Sequence, residues 1–386
     1  MHILHVIATL DPAAGEPSES VRALLNCAPP GYSSEVVTQD DPAAPFLHGL
    51  PCRVHALGPR KSAFGRNRRL LGWLRENWHR FDGVILNGIW TYEAIAVRKA
   101  CANRRPYIVA VHGMLDSQLK RPSSLAFAGR RVYWLLAEQR NLRLAHRVLF
   151  TSSAEASLAA RAFHPNRWKQ AVIPSGAHRP QHDGPALQSA FYWKFPEMRD
   201  RRFMLFLGQI QPSKGCDLLI HAFVKHAADD PELHLMVAGS DPLGSASQLK
   251  QIVAKAGLTH RIHWPGMLQD DVKWGAFYAS EVFILPAHQE NFGSAVAEAI
   301  SCGLPALLSE KVPIAPDIAA ARAAFIEPDT QQGTDSLIRR WIETQPAERG
   351  AMSIRAQELF EQRYDPGKCS AAIFHLFDQP TSTNSN

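Results

Sequence analysis

The segment Leu285-Pro-Ala-His-Gln-Glu290-Asn291-Phe292-Gly293-Ser294-Ala-Val-Ala-Glu298-Ala-Ile-Ser-Cys302-Gly303-Leu-Pro305 gathers residue types that can hold a polar ligand. An apolar run ends at Leu285, a loop carries Glu290, and Gly293 permits a tight turn. The pattern predicts a helix from near Ser294 to about Cys302, with Gly303 as its C-cap. Its first turn presents the backbone N–H groups of Phe292 to Val296, and such an end attracts a phosphate or a sugar hydroxyl. Glu290 and Glu298 are far enough apart not to share one ligand atom. One can accept hydrogen bonds from a sugar ring and the other from a ribose diol. Taken alone, the same residues also fit a plain helix with a solvated Glu298.

Other chemistries find little support. There is no Asp-x-Asp and no clustered His/Cys set at ligand spacing, so no metal site is expected. No G-x-x-x-x-G-K-[ST] occurs, which argues against an ATPase. The segment after Ile7 lacks G-x-G-x-x-G, which argues against a dinucleotide dehydrogenase. The six cysteines are scattered, without a C-x-x-C pair, so they read as small buried apolar residues in a reducing compartment.

The Glu-x7-Glu pattern from Glu290 to Glu298, with Asn-Phe-Gly inside it and Ala299 to Pro305 after it, resembles the retaining nucleotide-sugar glycosyltransferases of group 1 (glycosyltransferase family 4). Further segments are similar in the same order. Phe203 to Gly215 resembles the first strand and phosphate loop of the family's donor domain, and Leu235 to Ser240 its next strand and turn. Trp264 to Leu268 resembles the loop flanking the nucleobase, Val111-His112-Gly113-Met-Leu the N-domain His-Gly element, and Ile173 to Gly176 the domain crossing. The His-Gly-Met-Leu string is similar to members that build bacterial surface polysaccharides. The resemblance implies a GT-B fold, α/β, with two doubly wound Rossmann-like domains facing across a cleft.

The roles it implies can be placed residue by residue. His112 lies near the donor sugar and its phosphate, Lys214 neutralises the diphosphate leaving group, Glu290 lies near the donor sugar, and Glu298 binds the ribose. Gly15, Gly208, Gln209, Gly239, Met267, Leu268, Asn291, Phe292, Gly293 and Ser294 complete the implied donor site. Transfer is then metal-independent and needs no cofactor beyond the nucleotide-sugar substrate. Two departures matter. Gln209 stands where the family usually has Arg, five residues before the Lys. Glu16 follows Gly15 where the family's N-terminal loop often has a second glycine. They motivate two rivals to an active hexosyltransferase: a degenerate nucleotide- or glycan-binding relative, and a GT-B nucleotide-sugar epimerase.

The elements that must position these residues are legible as alternation. Apolar runs at 2–8, 34–38, 84–86, 107–111, 147–150 and 171–173 read as buried strands, as do 203–207, 233–238, 262–264, 282–285, 305–308 and 324–326. Helical patterns at 20–27, 67–78, 126–145, 216–227 and 245–256 separate them, which indicates βαβ units and parallel sheets. The expected division is an acceptor-binding domain over 1–175, a linker over 176–200, a donor domain over 201–360, and a C-terminal helix over 361–386 that crosses back before a frayed tail.

With 386 residues, 46% hydrophobic and 20% charged, the composition is that of a folded globular chain. No run of 18 or more apolar residues appears, and the N-terminus reads as a buried first strand, not a signal peptide. Charge is uneven: residues 1–180 hold 24 Lys and Arg against 12 Asp and Glu. Seven basic residues lie between Arg60 and Arg80, and seven more between Lys120 and Arg147. This points to an anionic partner for the first half. Nucleic acid, an anionic membrane face and a phosphorylated acceptor all carry such charge; the resemblance implies a lipid-linked or soluble glycan acceptor and no nucleic acid. Arg60, Arg66, Arg69, Arg130 and Arg131 are the candidate membrane cations, with Phe64, Leu70, Leu71 and Trp73 as an apolar edge. The expected location is cytoplasmic, peripheral on the inner membrane face.

Overall fold

The computed structural model describes residues 1–60, 62, 64–115, 129, 131–180 and 182–378. Lys61, Lys120, Arg121 and Arg130 of the basic clusters, residues 126–128 of the expected long helix, and residues 379–386 of the expected tail lie outside the described residues. The chain forms two units, one from Met1–Gly176 with Pro366–Asn386, the other from Ala177–Asp365.

The first unit is built on β1 (His2–Ile7), β2 (Ser33–Thr38), β3 (Arg53–Ala56), β4 (Gly83–Asn87), β5 (Tyr107–Ala110), β6 (Arg147–Phe150) and β7 (Gln170–Val172). All pairs are parallel, in the order β3-β2-β1-β4-β5-β6-β7. Strands β1 and β4 are buried on both faces, so they read as near-continuous apolar runs, interrupted in β1 by the buried His5. The edge strand β3 has no such run: Arg-Val-His-Ala is exposed or half-buried throughout, and hydrophobicity alone does not reveal it. The helix Pro366–His375 belongs to this unit. Its Ile373 and Phe374, with Phe377 just beyond, join Ile3, Ile85 and Ile108 in one apolar cluster, and His146 Nε2 lies 2.8 Å from the Leu376 carbonyl.

The second unit carries β8 (Arg202–Leu207), β9 (Leu233–Ala238), β10 (Ile262–Gly266), β11 (Val282–Leu285), β12 (Ala306–Ser309) and β13 (Ala324–Glu327). They are parallel, in the order β10-β9-β8-β11-β12-β13.

Of the stretch expected as a linker, 176–200, all but Gly176 belongs to this second unit. Gly184–Lys194 is a helix that buries Leu187 and Phe191 and packs on the helix Asp270–Ala279. A Cβ on Gly275 would stand 2.1 Å from the Leu187 carbonyl oxygen, so the two backbones meet there. The Pro- and Gly-rich approach resembles a linker in composition, but the Ala-Leu-x-x-Ala-Phe stripe that follows supplies a core face.

The residues expected to form an apolar edge beside Arg66–Arg69 mostly turn inward. Leu70 is fully buried, and Leu71 and Trp73 pack against the core of the first unit. Of those four residues Phe64 alone is exposed; the larger apolar exposure is on Val132, Leu135 and Leu136.

Among the described residues no disulfide joins any of the six cysteines; Cys101, Cys216 and Cys369 are buried, while Cys27, Cys52 and Cys302 are half-buried.

Candidate active site

In the second unit the strand order reverses between β8 and β11. Open α/β sheets bind ligands at the carboxyl ends of strands at such a switch point. The loops leaving these two strands are tied together there. The N–H groups of His288 and Gln289 donate to the Ser213 carbonyl at 2.9 and 3.0 Å. Gly215, at φ +69°, lies so close to the Pro286 carbonyl that a Cβ would stand 2.0 Å from it. This clamp brings Lys214 onto Glu290: Lys214 Nζ donates to Glu290 Oε2 at 2.8 Å and reaches the Gln289 carbonyl at 3.3 Å. Both side chains are four-fifths buried. Glu290 Oε1 also accepts from the Asn291 N–H at 2.9 Å.

The glycines on this edge are a backbone requirement. Gly239 has φ +143°, its N–H donates to Gly266 O at 2.8 Å, and a Cβ there would be 1.7 Å from Gly208 O. Gly208 N–H in turn donates to Ala238 O at 3.0 Å. Gln209 follows, exposed.

The helix after Glu290 runs Ser294–Ser301, starts from Gly293 at φ +102° and has no side-chain cap. Its first-turn amides are therefore open to a ligand's oxygen atoms. Phe292 is buried, while Asn291 and Ser294 are exposed. Gly303, at φ +72°, ends the helix as expected, with the Leu304 N–H on Ala299 O at 3.0 Å.

Glu298 is not solvated. Its Oε1 accepts from Lys273 Nζ at 2.7 Å, and the carboxylate side chain is only 12% exposed. Both line a cavity of about 350 Å³ whose wall includes Arg179, Asp271 and Trp274. Sequence reasoning passed over Lys273, Arg179 and Trp274. No local spacing marks them: Lys273 and Trp274 lie on the helix Asp270–Ala279 and Arg179 on the irregular segment before Gly184–Lys194, and all three share the cavity wall with Glu298 only through tertiary packing. Of the loop expected beside the nucleobase, Leu268 is buried and Met267 is 64% exposed.

Gly15 and His112 belong to the first unit. Gly15 (φ +87°) precedes the helix Glu16–Asn26, whose first turn carries Glu16 and Glu19. Glu16 thus places a carboxylate at a helix N-terminus, where the dipole favours negative charge. His112 follows β5 in the left-handed region at φ +47°, a conformation that costs a non-glycine residue. The turn is held from several sides. Gly113 N–H donates to Glu155 Oε1 at 2.8 Å, and Trp90 Nε1 donates to Met114 O at 2.9 Å. Burial pushes the His112 imidazole down to about 4, so it is neutral near pH 7. Nε2 faces Asn87 Oδ1 at 3.4 Å, while Nδ1 has no partner among the described residues. The one proton of the neutral ring then sits on Nε2 toward Asn87 Oδ1, which leaves Nδ1 an acceptor and the ring without charge.

Among the described residues no three His, Cys, Asp or Glu side chains gather as metal ligands, and no helix is long and apolar enough to cross a membrane.

Residues 190–359 match the family described as Glycosyl transferases group 1, and residues 21–176 match the Glycosyl transferase 4-like domain. Over 379 residues the chain is 25% identical to the GDP-mannose:cellobiosyl-diphosphopolyprenol alpha-mannosyltransferase of Xanthomonas campestris, covering 94% of this chain and 90% of that protein. It is 27% identical to the D-inositol 3-phosphate glycosyltransferase of Geodermatophilus obscurus, but spans only 39% of that protein's length. Among solved structures, Anabaena HepE in complex with UDP and glucose superposes with a TM-score of 0.70 at 18% identity, covering 98% of this chain and 99% of that one. The sucrose-phosphate synthase of Thermosynechococcus elongatus gives 0.72 at 18% identity, covering 98% of each.

Proposed function

Because this chain belongs to the group 1 glycosyltransferases and has their GT-B fold, we propose that it transfers a hexose from a nucleotide sugar to a glycan acceptor, retaining the anomeric configuration and using no metal ion. The observation that carries this reading is the convergence of Lys214 and Glu290 where the strand order reverses. As the bond between the anomeric carbon and the β-phosphate oxygen breaks, negative charge grows on the departing diphosphate. A lysine preplaced in a partly dry crevice binds that charge more strongly in the transition state than in the ground state. The acceptor oxygen forms its bond on the same face, and its proton passes to the departing phosphate oxygen, so no protein base is assigned.

Glu298, oriented by Lys273, accepts from the ribose diol, and Glu290 accepts from the sugar. Gly293 and the amides that follow it meet phosphate or sugar oxygens. His112, whose one ring proton is turned to Asn87 Oδ1, accepts from a sugar hydroxyl through its unpartnered Nδ1.

We assign the acceptor to lipid-linked glycans of bacterial surface-polysaccharide synthesis, with the protein in the cytoplasm against the inner membrane face. The diphosphopolyprenol-linked acceptor in the mannosyltransferase's name supports this. That relative's donor favours a guanine nucleotide, whereas HepE was solved with UDP.

A thermal-shift panel of UDP-, GDP- and ADP-hexoses tests the reading. A ligand at a hundred times its dissociation constant stabilises by about 2.7 kcal/mol. One nucleotide class should raise the melting temperature with EDTA present, and NMR of the product should show the donor's anomeric configuration. If no nucleotide sugar shifts the transition, the reading fails.

A further inference from the structure

The first unit contains a second cavity, of about 440 Å³, whose wall includes Gln39, Leu57, Pro59, Arg66, Arg68 and Arg69. Gln39 directly follows β2, and Leu57 directly follows β3, so the cavity opens on the carboxyl edge of the sheet, where such sheets take ligands. Arg66, Arg68 and Arg69 are exposed and make no ion pair among the described residues. They also crowd the start of the helix Arg68–Asn77, whose first turn holds no acidic residue. Three like charges on the positive end of a helix oppose the helix dipole and repel one another. Asn67 Oδ1 already accepts the Arg69 N–H at 2.9 Å, so the helix end is capped, and the three guanidinium groups meet no acceptor among the described residues. Nothing in the local fold accounts for placing them together.

An apolar path adjoins the cations. Leu57 and Pro59 lie in the cavity wall. Phe64, 38% exposed, stands edge-on to Tyr133 at 5.9 Å, and the segment around Tyr133 exposes Val132, Leu135 and Leu136. Guanidinium forks match phosphate oxygens two at a time, so three of them suit two linked phosphates better than one.

We infer that this cavity holds the diphosphate of a prenyl-diphosphate-linked acceptor, with the first isoprene units lying along Phe64 toward Val132 and Leu136. This rests on the lipid-linked acceptor proposed above, but it concerns residues separate from the donor site.

The test is residue-resolved arginine labelling of the full chain with phenylglyoxal, read by peptide mass spectrometry. Geranyl diphosphate should slow labelling of Arg66, Arg68 and Arg69 at least fivefold, and at concentrations at least tenfold below those at which inorganic pyrophosphate does. Absence of protection overturns the inference. So does equal protection by pyrophosphate, which would mean a free-phosphate site, or protection only by phosphatidylglycerol vesicles, which would mean a lipid headgroup. A second measurement uses the triple variant Arg66→Gln, Arg68→Gln, Arg69→Gln. Its KM for a diphosphoprenyl glycan should rise at least tenfold while its nucleotide-dependent thermal shift matches that of the wild type. An unchanged acceptor KM overturns the inference. If the wild type shows no nucleotide shift, the donor reading has failed, and the labelling experiment still judges the cavity.

Discussion

The Glu298 carboxylate is held by Lys273 at 2.7 Å and largely withdrawn from water, so removing it has two consequences. On the role proposed for it, a bound nucleotide loses a charged acceptor, and Lys273 loses its partner. Loss of a hydrogen bond to a charged group costs about 1.5–3 kcal/mol. Glu298→Ala should therefore weaken binding of both the nucleotide and the nucleotide sugar roughly ten- to a hundredfold by that reckoning. Isothermal calorimetry checks this, and an unchanged nucleotide affinity would remove Glu298 from the ribose site. The Glu290–Glu298 pattern was visible as sequence because both residues flank one helix start, where local geometry sets the chemistry. Lys273 was invisible because its meeting with Glu298 depends on the packing of a different helix.

At the scale of elements, the C-terminal helix Pro366–His375 is a structural part of the first unit. Phe374 is fully buried, with its ring 5.1 Å from Tyr32 and 6.3 Å from His5. Truncating such a ring leaves a cavity and costs about 3–5 kcal/mol. Phe374→Ala should lower the melting transition of the first unit in calorimetry, while the transition raised by nucleotide stays in place. A shift of the nucleotide-sensitive transition instead would contradict separate cores. The segment around 131–144 offers another element-scale prediction. Its exposed Val132, Leu135 and Leu136 lie among the exposed Arg131, Arg140 and Arg143, a combination suited to an anionic lipid interface. The protein should sediment with anionic vesicles, not with neutral ones, and be released by salt. Leu135→Ser with Leu136→Ser should weaken this without lowering the melting temperature. Protein that stays in the supernatant with anionic vesicles at low salt would rule out peripheral attachment.

For the whole molecule, buried ionisable groups set a pH profile. Burial pushes both His5 and His112 down to about 4. In the unfolded chain they take up protons near 6.5, so the unfolded state binds more protons between about 6.5 and 4. Their contribution is complete above 6.5 and is lost as the pH falls toward 4, at up to about 1.4 kcal/mol per pH unit per group. Burial raises Glu138 to about 7, which works in the opposite direction. Its contribution is complete below the ordinary carboxylate range near 4.5 and is lost as the pH rises through 7. Denaturant melts from pH 8 to 4 should show a net loss of stability below 6.5. In His5→Phe the slope should shrink, and in Glu138→Gln stability at pH 8 should rise relative to wild type. A flat profile for His5→Phe and wild type alike would contradict the burial of neutral imidazoles.

The amino-acid sequence determined most of the alternation of strands and helices, the parallel sheets, and the glycine-bearing loops at the strand ends. These follow from periodicity and from short-range backbone demands, such as the positive φ of Gly239 and Gly293. It also carried Lys214 and Glu290 as separate candidates. Tertiary structure decided what is non-local: that Lys214 and Glu290 form one pair, that Lys273 completes Glu298, and that 184–194 is core and not linker. It also decided that Leu70 turns inward while Leu136 faces out, because burial depends on which neighbours cover a residue. Residues 76 or 25 positions apart meet only when adjacent strands and helices pack, and no local pattern encodes that approach.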